Sequence, residues 1–205
     1  ASVFDRYRDD LYKQASYKPY VIAAMIYLAK MKDPIKIILL GESGVGTTNL
    51  IKVATGGLFD EDSAPSTSSS CNEGTIRGPD NNIYKYFLWD TAGQEYYRSM
   101  NNIFMKNAKI ILLVFALNSN YTFKEIDYWY KRAESNNSDY VIALVGNKID
   151  LIEEQEVTED MVKAYAKKNN NMKYLLTSAK DDPEGIKRFV KELILDYLKL
   201  YQGMN

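Results

Sequence analysis

The chain has 205 residues, with 26 Lys+Arg against 27 Asp+Glu and a formal net charge of −1, so neither a basic nucleic-acid surface nor a polybasic membrane patch is indicated. That length suits one domain of ordinary size plus an appendage, enough to bury a real core. The single cysteine, Cys71, excludes a disulfide framework and fits a reducing compartment; the lack of histidine leaves carboxylates, amides, hydroxyls and lysines for any chemistry.

The chain opens Ala1-Ser2 without a methionine, which reads as a piece of a longer protein or a cloning remnant, and no positively charged leader points to secretion. Pro19 separates two expected helices. The second, "YVIAAMIYLA", is about half the roughly 20 apolar residues a membrane helix needs. Being apolar nearly all round at Val21, Ile22, Met25, Ile26 and Leu28, it needs a surface to cover: the domain that follows, a partner, or another domain.

"IKIILLG", from Ile35 to Gly41, reads as a buried strand and runs into "GESGVGTTNL". Gly41, Gly46 and Thr48 fall at the spacings of a phosphate-binding loop, G-x-x-x-x-G-K-[ST], but Thr47 stands where the lysine belongs. "SAPSTSSSCNEG", Ser63 to Gly74, is loop-like, with poor strand character until Thr75-Ile76 and a turn at "GPDNN".

The next strand, "IYKYFLWD", delivers Asp90 at the start of "DTAGQE". A carboxylate at a strand end can hold a magnesium ion through water, and Gly93 offers a backbone N–H to a terminal phosphate. "KIILLVFAL" follows as a strand, and Ser119 caps a helix with Phe123, Ile126 and Tyr130 on one face.

"YVIALVGN" leads into "NKID". Asp150 can accept from guanine's N1–H and exocyclic amine, Asn147 can meet the base edge or tie this loop to the phosphate loop, and the Lys148 stem can cover the base face. Adenine lacks those donors and leaves the carboxylate unpaired, so guanine is preferred. Thr158 caps another helix. "KYLLTS" leads into "TSAK", where the Ala179 N–H can donate to the guanine carbonyl, and Asp182-Pro183 opens a helix apolar at Ile186, Phe189, Val190, Leu193, Ile194, Tyr197 and Leu198. Strand followed by helix, repeated, gives a parallel α/β sheet with ligands at the carboxyl ends of its strands.

Taken together, "GESGVG-TN", "WDTAGQE", "NKID" and "TSAK" resemble the Ras superfamily of small GTPases, with "WDTAGQE" and Ser43 most similar to the Rab branch. The resemblance covers Pro34 to Tyr201. It implies a three-layer α/β P-loop G domain over 34–205, with a mostly parallel six-stranded sheet, preceded by a helical extension over 1–33. It further implies GDP or GTP and Mg2+ as ligands. On that reading Gly41, Ser43, Gly44, Val45 and Gly46 surround the phosphates with backbone N–H groups, Thr47 takes the place of the lysine, and Thr48 gives its hydroxyl to magnesium. Phe59 packs on the guanine. Thr67, with Ser66 and Ser68 beside it, grips magnesium and the γ-phosphate; Asp90 completes the metal set and Gln94 orients the attacking water. Asn147, Lys148 and Asp150, with Ser178, Ala179 and Lys180, hold the base.

The departures from that pattern carry their own expectations. The neutral Thr47 weakens GTP binding and slows hydrolysis, and the serine-rich first switch alters the face offered to effector or regulatory proteins. Trp89 keeps a family aromatic on that face or simply fills the core. Two functions follow: a slow Rab-like guanine-nucleotide switch in vesicle traffic or signalling, or a pseudo-GTPase interaction module with little or no turnover. Thr47 fits a natural or an engineered substitution equally. The chain stops at "YQGMN". The family's prenylated cysteines are not in it, so the expectation is a cytoplasmic protein, peripheral to endomembranes only through a tail outside this chain.

Overall fold

The computed structural model describes residues 33–62, 70–90, 105–136 and 138–203, of which all but Asp33 belong to the compact unit Pro34–Asn205. Residues 1–32, which hold nearly all of the expected helical extension, lie outside the described residues, as do Ser66, Thr67, Ser68, Gly93 and Gln94.

Five apolar runs form strands where their patterns place them: β1 (Ile35–Gly41), β3 (Ile83–Asp90), β4 (Ile110–Ala116), β5 (Val141–Asn147) and β6 (Lys173–Leu176). With β2 (Ser70–Arg77) they form a six-stranded sheet in the order β2-β3-β1-β4-β5-β6. Neighbours are parallel except at the β2/β3 edge. All of β4 is buried, and β1 nearly so, because helices cover both faces of the sheet.

Successive side chains of a strand point to opposite faces, and the core divides accordingly. Ile37, Leu39, Leu112, Val114, Ala143 and Val145 meet Leu50 and Val53 of α1 (Thr47–Ala54) and Ile186, Leu193 and Tyr197 of α5 (Pro183–Gln202). On the other face Ile38, Leu40, Ile111, Leu113, Phe115 and Leu144 meet Ile126, Trp129 and Ala133 of α3 (Ile126–Asn136) and Val162 and Ala166 of α4 (Glu159–Lys168). Each fully buried aliphatic side chain contributes about 1.5–3 kcal/mol. This sandwich therefore fixes the strand ends on which the loops stand.

The helix starts follow the capping residues. Thr158 accepts from the Met161 N–H at 3.3 Å, and Asp182 accepts from the Gly185 N–H at 2.9 Å with Pro183 in the first turn. The helix expected after Ser119 is two pieces, α2 (Asn120–Lys124) and α3, separated at Glu125. Its apolar face holds across the break: Ile126 is buried, and Phe123 and Tyr130 pack against the same core.

One expectation is corrected. "SCNEG" is strand from Ser70 onward, not loop until Thr75, and pairs antiparallel with β3 from Ser70 opposite Asp90 to Arg77 opposite Ile83. Low intrinsic strand preference yields to continuous pairing with a well-anchored neighbour, and Ser, Cys, Asn and Glu suit an exposed edge. Gly74 sits against Tyr86, whose ring fills the space a Cβ would need. "GPDNN" is the turn: the Gly78 N–H donates to the Asn82 carbonyl at 2.8 Å, and Asn81 takes the left-handed backbone the turn requires, φ 65°.

Candidate functional site

β1 ends against β4 so closely that a Cβ on Gly41 would collide with the Val114 carbonyl. The chain then folds Val45 into the core and turns into α1 at Gly46, φ 92°, a conformation that L side chains rarely adopt. A Cβ there would also come within 2.5 Å of Asn147 Nδ2. Gly46 gives α1 no side-chain cap, and the first turn has no acidic residue. The helix N-terminus thus presents its backbone N–H groups and positive dipole end to anions.

That N-terminus forms one wall of a cavity of about 320 Å³. Ser43, Gly44, Gly46, Thr47, Thr48, Phe59, Asn147, Lys148, Asp150, Ser178, Ala179 and Lys180 all line it, brought together from four separated loops. Gly41 and Val45 lie buried at the base of the loop. Asp90, 1 % exposed, sits at the end of β3 beneath the two threonines.

Both hydroxyls are directed at that carboxylate. Thr48 Oγ1 donates to Asp90 Oδ2 at 2.6 Å, and Thr47 Oγ1 donates to Oδ1 at 3.1 Å. A hydroxyl and a buried carboxylate are the hard oxygen donors that Mg2+ takes, and among the described residues no group of three or more acidic, cysteine or histidine side chains competes as a protein cage. Thr48 and Asp90 therefore have the chemistry that would suit a Mg2+ ion, the hydroxyl as a direct donor and the carboxylate through water.

The far wall is organised by Asn147, 3 % exposed. Its Nδ2 donates to the Val45 carbonyl at 2.9 Å and its Oδ1 accepts from the Ala179 N–H at 3.1 Å, so one amide joins the phosphate-loop turn to the loop after β6. Of the two roles open to Asn147 from sequence, the structure displays the tie between loops. Lys148 follows in a left-handed conformation, φ 67°, and half-buried Asp150 lines the cavity. Ser178 Oγ accepts from the N–H groups of Lys180 at 3.1 Å and Asp181 at 3.0 Å, winding the last loop into a tight turn.

Several supporting contacts around the cavity are announced by no motif, even where one partner lies within one. Asn49 exchanges two hydrogen bonds with the Asp60 backbone, donating to its carbonyl at 2.9 Å and accepting from its N–H at 3.1 Å. Lys52 adds an ion pair to the Asp60 side chain at 2.8 Å, and its hydrogen bond holds that carboxyl below the usual range. These contacts pin the segment after α1 and set Phe59 at the cavity. Lys180 Nζ meets Glu61 at 3.1 Å across the mouth; that hydrogen bond, with its charge, pushes the Lys180 pKa up. Glu42, 6 % exposed, accepts from Trp129 Nε1 at 3.1 Å and so couples the phosphate loop to α3. The partners lie 11, 119 and 87 residues apart, beyond any local pattern.

Comparisons with known proteins agree with this arrangement. Residues 36–199 match the model of the Ras family. The chain is 34 % identical over 176 residues to the Ras-related protein RabJ of Dictyostelium discoideum, covering 82 % of this chain and 68 % of that protein. It is 34 % identical over 162 residues to Rab-18 of Lymnaea stagnalis, covering 78 % of each, and 36 % identical over 147 residues to Rab-25 of Bos taurus, covering 71 % and 68 %. With the phosphate loop, Asp90, "NKID" and "TSAK" at strand ends of this sheet, the chain belongs to the Ras family as a Rab-like small GTPase.

Proposed function

We propose that the cavity takes a guanine nucleotide and that the protein is a GDP/GTP switch with weakened GTP binding and slow hydrolysis. The observation that carries this reading is that the phosphate-loop helix and Asp150 line one cavity and are linked through Asn147. The N-terminus of α1 receives the phosphates. Asp150 accepts from guanine N1–H and the exocyclic amine, the Ala179 N–H is shared between Asn147 and the base carbonyl, and Phe59 and the Lys148 stem cover the base faces. Bound at Thr48 and Asp90, Mg2+ supplies charge neutralisation for the phosphate oxygens. By the family pattern Thr67 and Gly93 receive the γ-phosphate, and Gln94 orients water for its hydrolysis.

The weakening rests on Thr47. Its hydroxyl is directed at Asp90, and a side chain of that length supplies no cation for the β- and γ-phosphates. The same observation favours a second reading, an interaction module that keeps the fold and the guanine pocket with little turnover. In either case the partners are effector or regulatory proteins meeting the altered switch faces. A role in vesicle traffic, with membrane attachment through a lipidated tail, follows the family. Residues 1–33 form a separate helical extension on this reading.

The base assignment is tested at Asp150. In Asp150→Asn an amide replaces the carboxylate, so its oxygen keeps N1–H while its N–H faces the guanine amine. Two charge-assisted bonds of about 1.5–3 kcal/mol are weakened, and GDP affinity is expected to fall by about 100-fold or more. Xanthosine diphosphate, with a carbonyl in place of the amine, should bind the variant better than GDP does. Competition between the two nucleotides measures this directly, and an Asn variant that still prefers GDP refutes the assignment.

A further inference from the structure

We infer that Thr47 tunes the metal dependence of the site: its hydroxyl occupies Asp90 Oδ1 and so lowers the contribution of Mg2+ to nucleotide retention. The inference rests on the nucleotide reading above and concerns a residue whose side chain that reading treats only as a missing cation. Thr47 lies in the first turn of α1, yet its hydroxyl bonds a carboxylate 43 residues away, at 3.1 Å. Thr48 takes the other oxygen at 2.6 Å. Asp90 is 1 % exposed and is held at the end of β3, opposite Leu39 of β1 and Ser70 of β2, so it cannot swing out to find new acceptor space.

A carboxylate has about four lone-pair sites, and each hydroxyl donated to it takes one and disperses part of its charge. Mg2+ keeps several of its waters and is held by a carboxylate largely through them. The Thr47 hydroxyl therefore competes with a metal-bound water for Oδ1, while the Thr48 hydroxyl gives its proton to Oδ2 and presents its oxygen to the ion. A valine at position 47 removes the competing donor at nearly constant shape, and a serine restores it.

The test follows retention of a fluorescent GDP analogue by the parent, Thr47→Val and Thr47→Ser, from excess chelator to millimolar Mg2+. The valine variant is expected to reach half-maximal retention at a Mg2+ concentration at least about threefold lower than the parent, the effect of one ordinary hydrogen bond. The serine variant should return the midpoint to the parental value. A valine midpoint equal to or above the parent's, or a serine variant that follows valine, overturns the inference while leaving the nucleotide reading in place. Failure of the parent to retain the analogue at any Mg2+ concentration refutes the nucleotide reading and this inference together.

Discussion

Replacing Thr47 with lysine is expected to raise GTP affinity by about 10² to 10⁴-fold, and single-turnover hydrolysis by at least about tenfold with it. A lysine brings one positive charge and about two charge-assisted hydrogen bonds to the β- and γ-phosphates, each worth about 1.5–3 kcal/mol at 1.4 kcal/mol per factor of ten. The backbone needs no change to receive it, because Thr47 already stands in the first turn of α1, half-buried at the cavity wall. The same charge opposes the negative charge that develops on the transferring phosphoryl group, so rate should follow affinity. GDP should gain less, having no γ-phosphate to reward the new contact. Titration of both proteins with GDP and a non-hydrolysable GTP analogue, then single turnover, separates these effects. A lysine variant no better than its parent for the GTP analogue would place the loss in the serine-rich first switch.

The second large effect is expected at Asn147. In Asn147→Ala the Val45 carbonyl and the Ala179 N–H both lose their amide partner in a region that is almost fully buried. Each unsatisfied group costs about 1–3 kcal/mol, so the variant should lose about 2–6 kcal/mol of stability by urea unfolding without nucleotide. GDP affinity should fall by about 100-fold or more, because the two walls that hold phosphate and base are no longer braced against each other. Full stability with weakened GDP binding would show that the amide serves the ligand alone; loss of neither would remove it from the account.

How far the sequence carries depends on the kind of signal. Unbroken apolar runs announce five strands, since a strand covered on both faces has no polar face to confuse its pattern. Ser119, Thr158 and Asp182 announce helix starts because a cap is a local event. β2 was not legible: "SCNEG" becomes strand through its pairing with β3, and nothing in five polar or small residues encodes that partner. The motif residues of the cavity are legible because phosphate and base recognition fix residue types at short spacings. Their supports are not. Asn49 on Asp60, Trp129 on Glu42 and the Thr47 hydroxyl on Asp90 are polar pairs made by the fold, and even where a motif marks a residue, as at Thr47 and Asp90, nothing in the sequence announces the pairing. The last of these changes what Thr47 means, from a side chain that is merely too short into a donor committed to the carboxylate beneath it.

The central claim, that this cavity selects guanine and favours the diphosphate, is tested most directly by equilibrium titration of the unaltered protein in Mg2+ with GDP, ADP and a non-hydrolysable GTP analogue. Two bonds to the Asp150 carboxylate that adenine cannot make predict GDP binding at least about 100-fold tighter than ADP. The missing lysine predicts GDP tighter than the GTP analogue. Equal binding of GDP and ADP would contradict the account at its base-recognition step, whatever the order of the two guanine nucleotides.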